Sequence, residues 1–216
     1  MSSFAAELYL GHVRYGTFGQ NNLETVHPFI RANNWKSRSL VLAGNFNLTN
    51  VDELFQKLVD LGQHPREFAD TVTILEKVGH FLDSENQSLF NSFKAEGHPN
   101  KLISQYISRD LDVAKILREA TKDFDGGYVI EGMLGNGDSF VVRDPWGIRP
   151  AYYYKNDEVV IVASERPVIQ TVMNAQLDEV KELDPGKAVI IKADGRFSVE
   201  TITETRERKA CSFERN

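Results

Sequence analysis

The sequence holds a single cysteine, Cys211, among 216 residues. An intrachain disulfide is therefore excluded, and a reducing compartment is the expected setting. No apolar run approaches the ~18 residues that a membrane span requires, which excludes a transmembrane helix. The opening residues, Met1-Ser2-Ser3-Phe4-Ala5-Ala6-Glu7, lack the basic flank and apolar core of a signal peptide. A cytoplasmic protein that engages no membrane is expected. There is no excess of positive charge either: the formal charge is −6, with both signs mixed along the chain. Nucleic-acid binding through a basic face is thereby argued against. No G-x-x-x-x-G-K-S/T loop is present, and Gly126-Gly127 and Gly147 read as turn chemistry rather than a phosphate cradle. Internal repeats and low-complexity segments are absent.

What remains is an ordinary globular composition, 41% hydrophobic and 26% charged, long enough to bury a substantial core. Leu8 to Val13 and Ser39 to Ala43 read as strands. Val51, Leu54, Phe55 and Leu58 follow helical spacing, with Asn50 as N-cap, Glu53 as its capping-box partner and Gly62 as the stop. A second helix follows Asp70, through Ile74, Leu75, Val78, Phe81 and Leu82. The stretch from Asp83 to Lys101 is polar and reads as an irregular surface connection. Leu111 to Phe124 reads as a third helix. After Gly126 the pattern changes to strands, at Tyr128–Leu134, Ser139–Arg143, Ala151–Tyr154, Val159–Ala163, Ala188–Ala193 and Arg196–Ile202, with a short helix at Pro167–Met173. Turn residues around Gly137, Asn156 and Gly195 join consecutive strands. Helices grouped between antiparallel strands make an α+β protein.

Two segments carry the chemistry. Gly11-His12-Val13-Arg14-Tyr15-Gly16-Thr17 and Gly44-Asn45-Phe46-Asn47-Leu48-Thr49-Asn50 place an arginine, a threonine and an asparagine beside glycines. A guanidinium can clamp a carboxylate bidentately, a hydroxyl can donate to the same group, and an asparagine amide can donate to an oxyanion. Such groups suit an amino-acid substrate attacked at a carbonyl. His27, ahead of Pro28-Phe29, reads as a structural histidine at the edge of that pocket. Asp144 and Arg149 read as structural contacts across a turn.

Over nearly its whole length the chain resembles the glutaminase domain of the amidophosphoribosyltransferases, class II glutamine amidotransferases of the N-terminal-nucleophile fold. The resemblance rests on His12-Val13-Arg14-Tyr15 with Thr17, Asn45 with Asn47-Leu48-Thr49-Asn50, and Ala69-Asp70-Thr71. It continues through Asp125-Gly126-Gly127-Tyr128, Arg143-Asp144-Pro145-Trp146-Gly147-Ile148-Arg149-Pro150, Ser164-Glu165, Leu183-Asp184-Pro185-Gly186 and Ala210-Cys211-Ser212-Phe213-Glu214. It implies a four-layer αββα sandwich with two antiparallel sheets between helices. It further implies that Arg14 and Thr17 hold the glutamine α-carboxylate, that Tyr15 covers the pocket, and that Asp70 takes the α-ammonium. The amide of Asn45 and the backbone N–H of Phe46 would form the oxyanion hole. Phe46 departs from the glycine usual there, and a positive φ at that position would strain it.

The family's nucleophile is an N-terminal cysteine, which opens a strand well upstream of the arginine loop. Here Arg14 follows the first residue closely, so an N-terminally truncated domain is expected over residues 1–203, with 204–216 a linker towards a phosphoribosyltransferase domain. Ser2 and Ser3 are poor substitutes without an upstream strand to hold them. Cys211 reads as structural. The resemblance implies glutamine as ligand, that second domain as partner, and no cofactor for this domain. Magnesium, and in some members an iron–sulfur cluster, belong to the full-length family, and a homo-oligomer is compatible with it. The open alternatives are a non-catalytic amino-acid-binding or docking module of the same fold, and the glutaminase domain of another class II amidotransferase.

Overall fold

The computed structural model describes residues 5–13, 26–65 and 69–209. Apolar alternation builds two antiparallel sheets from these residues. The larger contains β1 (Phe29–Arg31), β2 (Leu40–Leu48), β3 (Gly126–Leu134), β4 (Ser139–Arg143), β8 (Lys187–Ile191) and β9 (Phe197–Thr201), in that spatial order. The smaller contains β5 (Tyr152–Lys155), β6 (Val160–Ala163) and β7 (Lys181–Glu182), with β5 in the middle.

Period-two alternation sends each strand's side chains to opposite faces. Leu40, Leu42, Tyr128, Ile130, Phe140 and Val142 face the helices α1 (Val51–Asp60), α2 (Asp70–Ala95), α3 (Asn100–Asp110) and α4 (Val113–Thr121) in one large core. Val129, Val141 and Val189 face the smaller sheet through Ala151, Leu183, Tyr153 and Val162. The outer face of the smaller sheet, with Tyr152, Tyr154 and Ile161, packs on Ile169 of α5 (Arg166–Met173). The order helices, sheet, sheet, helix makes the four layers expected.

Several local expectations are corrected. The stretch 83–101 is not an irregular connection: α2 runs to Ala95, and α3 starts at Asn100. Polar residues there serve the helix rather than end it. Buried Asn86 donates to the Leu82 carbonyl at 2.8 Å and to the Ser37 carbonyl at 3.1 Å, while Leu89, Phe90 and Phe93 continue the apolar stripe. The third helix is shorter than Leu111–Phe124, as α4 spans Val113–Thr121 with Asp112 as its cap. Residues 8–13 pair with no strand among the described residues; Leu8, Leu10 and His12 are half-buried against a cavity instead. The capping box at Asn50 does not form. Its amide donates to the Asp123 carbonyl and its carbonyl accepts from the Asp125 N–H, while Glu53 pairs with Lys57. The short strands β1 and β7 add to those read from sequence.

The Arg143–Arg149 segment joins the two sheets. The Asp144 carboxylate accepts from the backbone N–H groups of Trp146, Ile148 and Arg149 at 3.0–3.1 Å. Arg143, whose side chain is 1% exposed, donates to the carbonyls of Gly147, Arg149 and Leu183 and to the Glu182 carboxylate. Residues 203–209 lie along this loop, with the Arg206 and Lys209 N–H groups on the Pro145 and Trp146 carbonyls.

Candidate functional site

A cavity of about 1100 Å³ opens between the N-terminal segment, the two sheets and the start of α2. Asn45, Phe46 and Asp70 all line it, together with His12, His27 and Thr71. Arg14, Tyr15 and Thr17 lie outside the described residues, as do Ser2, Ser3 and Cys211.

Asn45 sits not on a turn but inside β2, opposite Val129 of β3. It is exposed on the face that looks toward the smaller sheet. Phe46 stands opposite Tyr128, whose N–H and C=O both bond to Asp144 on the far side. In an antiparallel ladder a residue's N–H and C=O point to one side. Phe46 and Tyr128 are therefore a non-hydrogen-bonded pair, and the Phe46 N–H points away from β3. It shares that edge with the Gly44 N–H, two residues earlier. Asn174 is the one non-glycine residue with positive φ among those described, so Phe46 carries none of the strain anticipated for it. Its ring stacks on His27 at 5.4 Å between centroids.

Gly44 is required by proximity. A Cβ there would lie 2.3 Å from the Val129 carbonyl oxygen. Its N–H donates to Nδ1 of His27 at 3.2 Å. A ring nitrogen that accepts carries no proton, so Nε2 is the protonated nitrogen of this neutral imidazole. Nε2 faces Oγ1 of Thr71 at 3.4 Å. Oγ1 in turn donates to Oδ1 of Asp70 at 3.4 Å, and the Thr71 N–H donates to the same oxygen at 2.8 Å. The strand that carries Asn45 is thus linked through His27 and Thr71 to the carboxylate of Asp70. The His12 ring lies tilted against His27, with centroids 4.4 Å apart.

Asp70 is the first residue of α2, after Ala69 at the N-cap position. A carboxylate in the first turn is favoured by the helix dipole, and it still faces the cavity. The structure therefore gathers an amide donor, a carboxylate and two imidazoles on one concave surface. A small ligand carrying an ammonium group and a polarisable carbonyl matches that set.

Sequence reasoning missed the acidic residue of the cavity wall. Glu131 of β3 is half-buried, and burial pushes its carboxyl up to about 7. Its only legible signal was a charge inside the apolar run from Tyr128 to Leu134. Among the described residues, no group of three or more His, Cys, Asp or Glu side chains is arranged to hold a metal ion, and no helix is long and apolar enough to cross a membrane.

No protein-family model matches the chain. Its sequence is similar to curated amidophosphoribosyltransferases across nearly its whole length. It is 26% identical to that of Archaeoglobus fulgidus over 210 residues, covering 97% of this chain and 39% of the relative. It is 29% identical to that of Bacillus subtilis over 206 residues, covering 95% of this chain and 36% of the relative. Among solved structures, the glutamine phosphoribosylpyrophosphate amidotransferase of B. subtilis, complexed with ADP and GMP, superposes with a TM-score of 0.67 at 26% identity. That match covers 94% of this chain and 36% of the solved chain. A second structure, described as the allosteric regulatory enzyme of purine biosynthesis, gives a TM-score of 0.68 at 27% identity, over 94% of this chain and 37% of that one. The chain spans between 33% and 39% of the length of the curated relatives it matches. It shares the N-terminal-nucleophile architecture of these amidotransferases: two antiparallel sheets between helical layers.

Proposed function

We propose that this chain is a glutamine-binding glutaminase domain of the amidophosphoribosyltransferase type, serving the first nitrogen transfer of purine synthesis in the cytoplasm. The observation that supports this reading most is the placement of Asn45 and Asp70 on one cavity, joined through His27 and Thr71.

In the proposed complex the substrate α-ammonium pairs with Asp70. Arg14 and Thr17 hold the α-carboxylate by the family's pattern, and Tyr15 closes over it. The side-chain carboxamide then lies along β2, where the Asn45 amide and the Phe46 N–H meet its carbonyl oxygen. As a nucleophile adds to the carbon, that oxygen takes negative charge, and two preorganised donors stabilise it more than they stabilise the substrate. Ammonia leaves, and the acyl group is hydrolysed to glutamate. Residues of this chain bind, orient and polarise the amide; no cofactor is asked of them.

The family's attacking cysteine has no counterpart in these 216 residues, whose single cysteine is Cys211. The ammonia passes to a phosphoribosyltransferase domain, which the threefold greater length of the relatives makes the expected partner. Calorimetry tests the binding step directly. L-glutamate is expected to bind saturably, and both 2-oxoglutarate, lacking the ammonium, and 4-aminobutyrate, lacking the α-carboxylate, to bind at least about tenfold more weakly. The chain alone is expected to release no measurable ammonia from glutamine. Equal binding of all three compounds, or ammonia release at the rate of an intact glutaminase, refutes the assignment.

A further inference from the structure

The cavity of about 1100 Å³ is larger than a free amino acid needs. Part of its wall is built differently from the Asn45 and Asp70 region. Glu131 stands opposite Ala43 on one side and Val141 on the other. Asn45 and Val129 are the next pair on the same face, so Glu131 is a diagonal neighbour of Asn45 at roughly 7–8 Å. Ser139, two residues from Val141 on that face, is the diagonal neighbour on the opposite side.

Glu131 forms no hydrogen bond or ion pair with any described residue, and burial alone accounts for its raised carboxyl. Ser139 is 7% exposed, and its Oγ is buried without a hydrogen-bond partner. Both residues line the cavity, and the surface around them is apolar: Val141, Val160, Val162, Val189 and Ile191. Buried carboxyls are normally paired, because an unpaired one carries the full cost of desolvation. A carboxyl and a hydroxyl at diagonal positions on one face of an aliphatic wall fit one chemistry. An alkyl chain can cover the valines while its terminal –NH3+ gives its three N–H groups to the carboxylate and the hydroxyl.

We propose that Glu131 and Ser139 form a second subsite of the cavity, which takes an aliphatic primary ammonium group. The group comes either from a free amine or from a lysine side chain of a polypeptide. The subsite stands apart from the glutamine assignment, since the ligand needs neither an α-carboxylate nor a carboxamide.

The test titrates n-butylammonium chloride into the chain at pH 8, with valine-methyl NMR and calorimetry as readouts. Saturable shifts at Val141, Val160, Val162 and Val189 are expected, and n-butanol, of matching shape without charge, is expected to bind about tenfold more weakly or not at all. Glu131→Gln should weaken butylammonium binding about tenfold or more, and Ser139→Ala severalfold. Unchanged methyl spectra of the free variants establish that both remain folded. An acetyl-Val-Lys-Val-amide peptide that binds tenfold more tightly than butylammonium assigns the group to a polypeptide, and equal affinity assigns it to a free amine. Absence of binding, equal binding of butanol, or unchanged affinity in Glu131→Gln overturns the proposal.

Discussion

A neutral imidazole is the joint between the strand that carries Asn45 and the helix that carries Asp70. His27 can accept from Gly44 and donate toward Thr71 only with its proton on Nε2. Replacing it by phenylalanine keeps the ring stacking but orphans the Gly44 N–H, which should cost about 1–3 kcal/mol of stability. Amide hydrogen exchange at Gly44 should accelerate by about tenfold or more, and glutamate affinity should fall with it. His27→Gln retains one acceptor and one donor and should recover most of both losses. If the phenylalanine variant binds glutamate like the original chain, His27 is only packing. Glu131 allows a pH prediction of definite sign. Its folded value of about 7 lies above the ordinary 4.5, so between those values the native chain holds a proton that the unfolded chain has released. The stabilising contribution is complete below about pH 4.5 and is lost as pH rises through 7, a change of about 3 kcal/mol. Urea titrations from pH 4.5 to 8 should show this decline in the original chain relative to Glu131→Gln. The comparison cancels His12, His27, Asp70 and Glu165, which line the same cavity. Parallel curves for the two proteins would mean that Glu131 is ionised at no extra cost.

At the level of elements, α2 is where sequence pattern and structure diverge most. Its first half carries Ile74, Leu75, Val78 and Leu82 at clean helical spacing, and the pattern was legible. Its second half is rich in Asp, Ser, Asn and Gln, residues that prefer caps and turns in isolation. Tertiary contacts decide the outcome: Glu85 and Asn86 are buried by partners far away in sequence, Lys115 and Ser37. The Ser88→Pro variant separates the two readings. An irregular surface connection would tolerate it, whereas inside α2 it should cost about 3 kcal/mol or more and lower the thermal midpoint. The strands after Gly126 were easier to read because their turns announce themselves, Gly137 and Gly195 both taking positive φ. β1 and β7, at three and two residues, are too short to show any period. The cavity follows the same logic. Asn45 and Asp70 were legible because they sit in recognisable motifs. Glu131 was not, because its partnerless state depends on β4, β6 and β8, which no local window contains.

The whole molecule depends on how its two sheets are held against each other, since the cavity lies between them. One side chain makes much of that connection. Arg143 leaves the larger sheet at the end of β4 and reaches Glu182 of β7 at 2.8 Å in the smaller one. Its remaining N–H groups serve the carbonyls of Gly147, Arg149 and Leu183 along the linking loop. A planar fork of five donors suits four acceptors in fixed positions; a lysine has three donors on one nitrogen and cannot span them. Arg143→Met should therefore leave the carbonyls of Gly147, Arg149 and Leu183 without this donor and Glu182 with Arg208 as its remaining partner, at a cost of about 3–5 kcal/mol. Arg143→Lys should recover only part of it. Because the lost contacts set the distance between the sheets, glutamate affinity should fall in both variants, although Arg143 is not among the residues lining the cavity. Urea denaturation and glutamate calorimetry on the same samples check the two effects together. A Met variant that loses stability yet binds glutamate unchanged would mean that the cavity keeps its shape without this bridge, and that the smaller sheet is held in place by its apolar face alone.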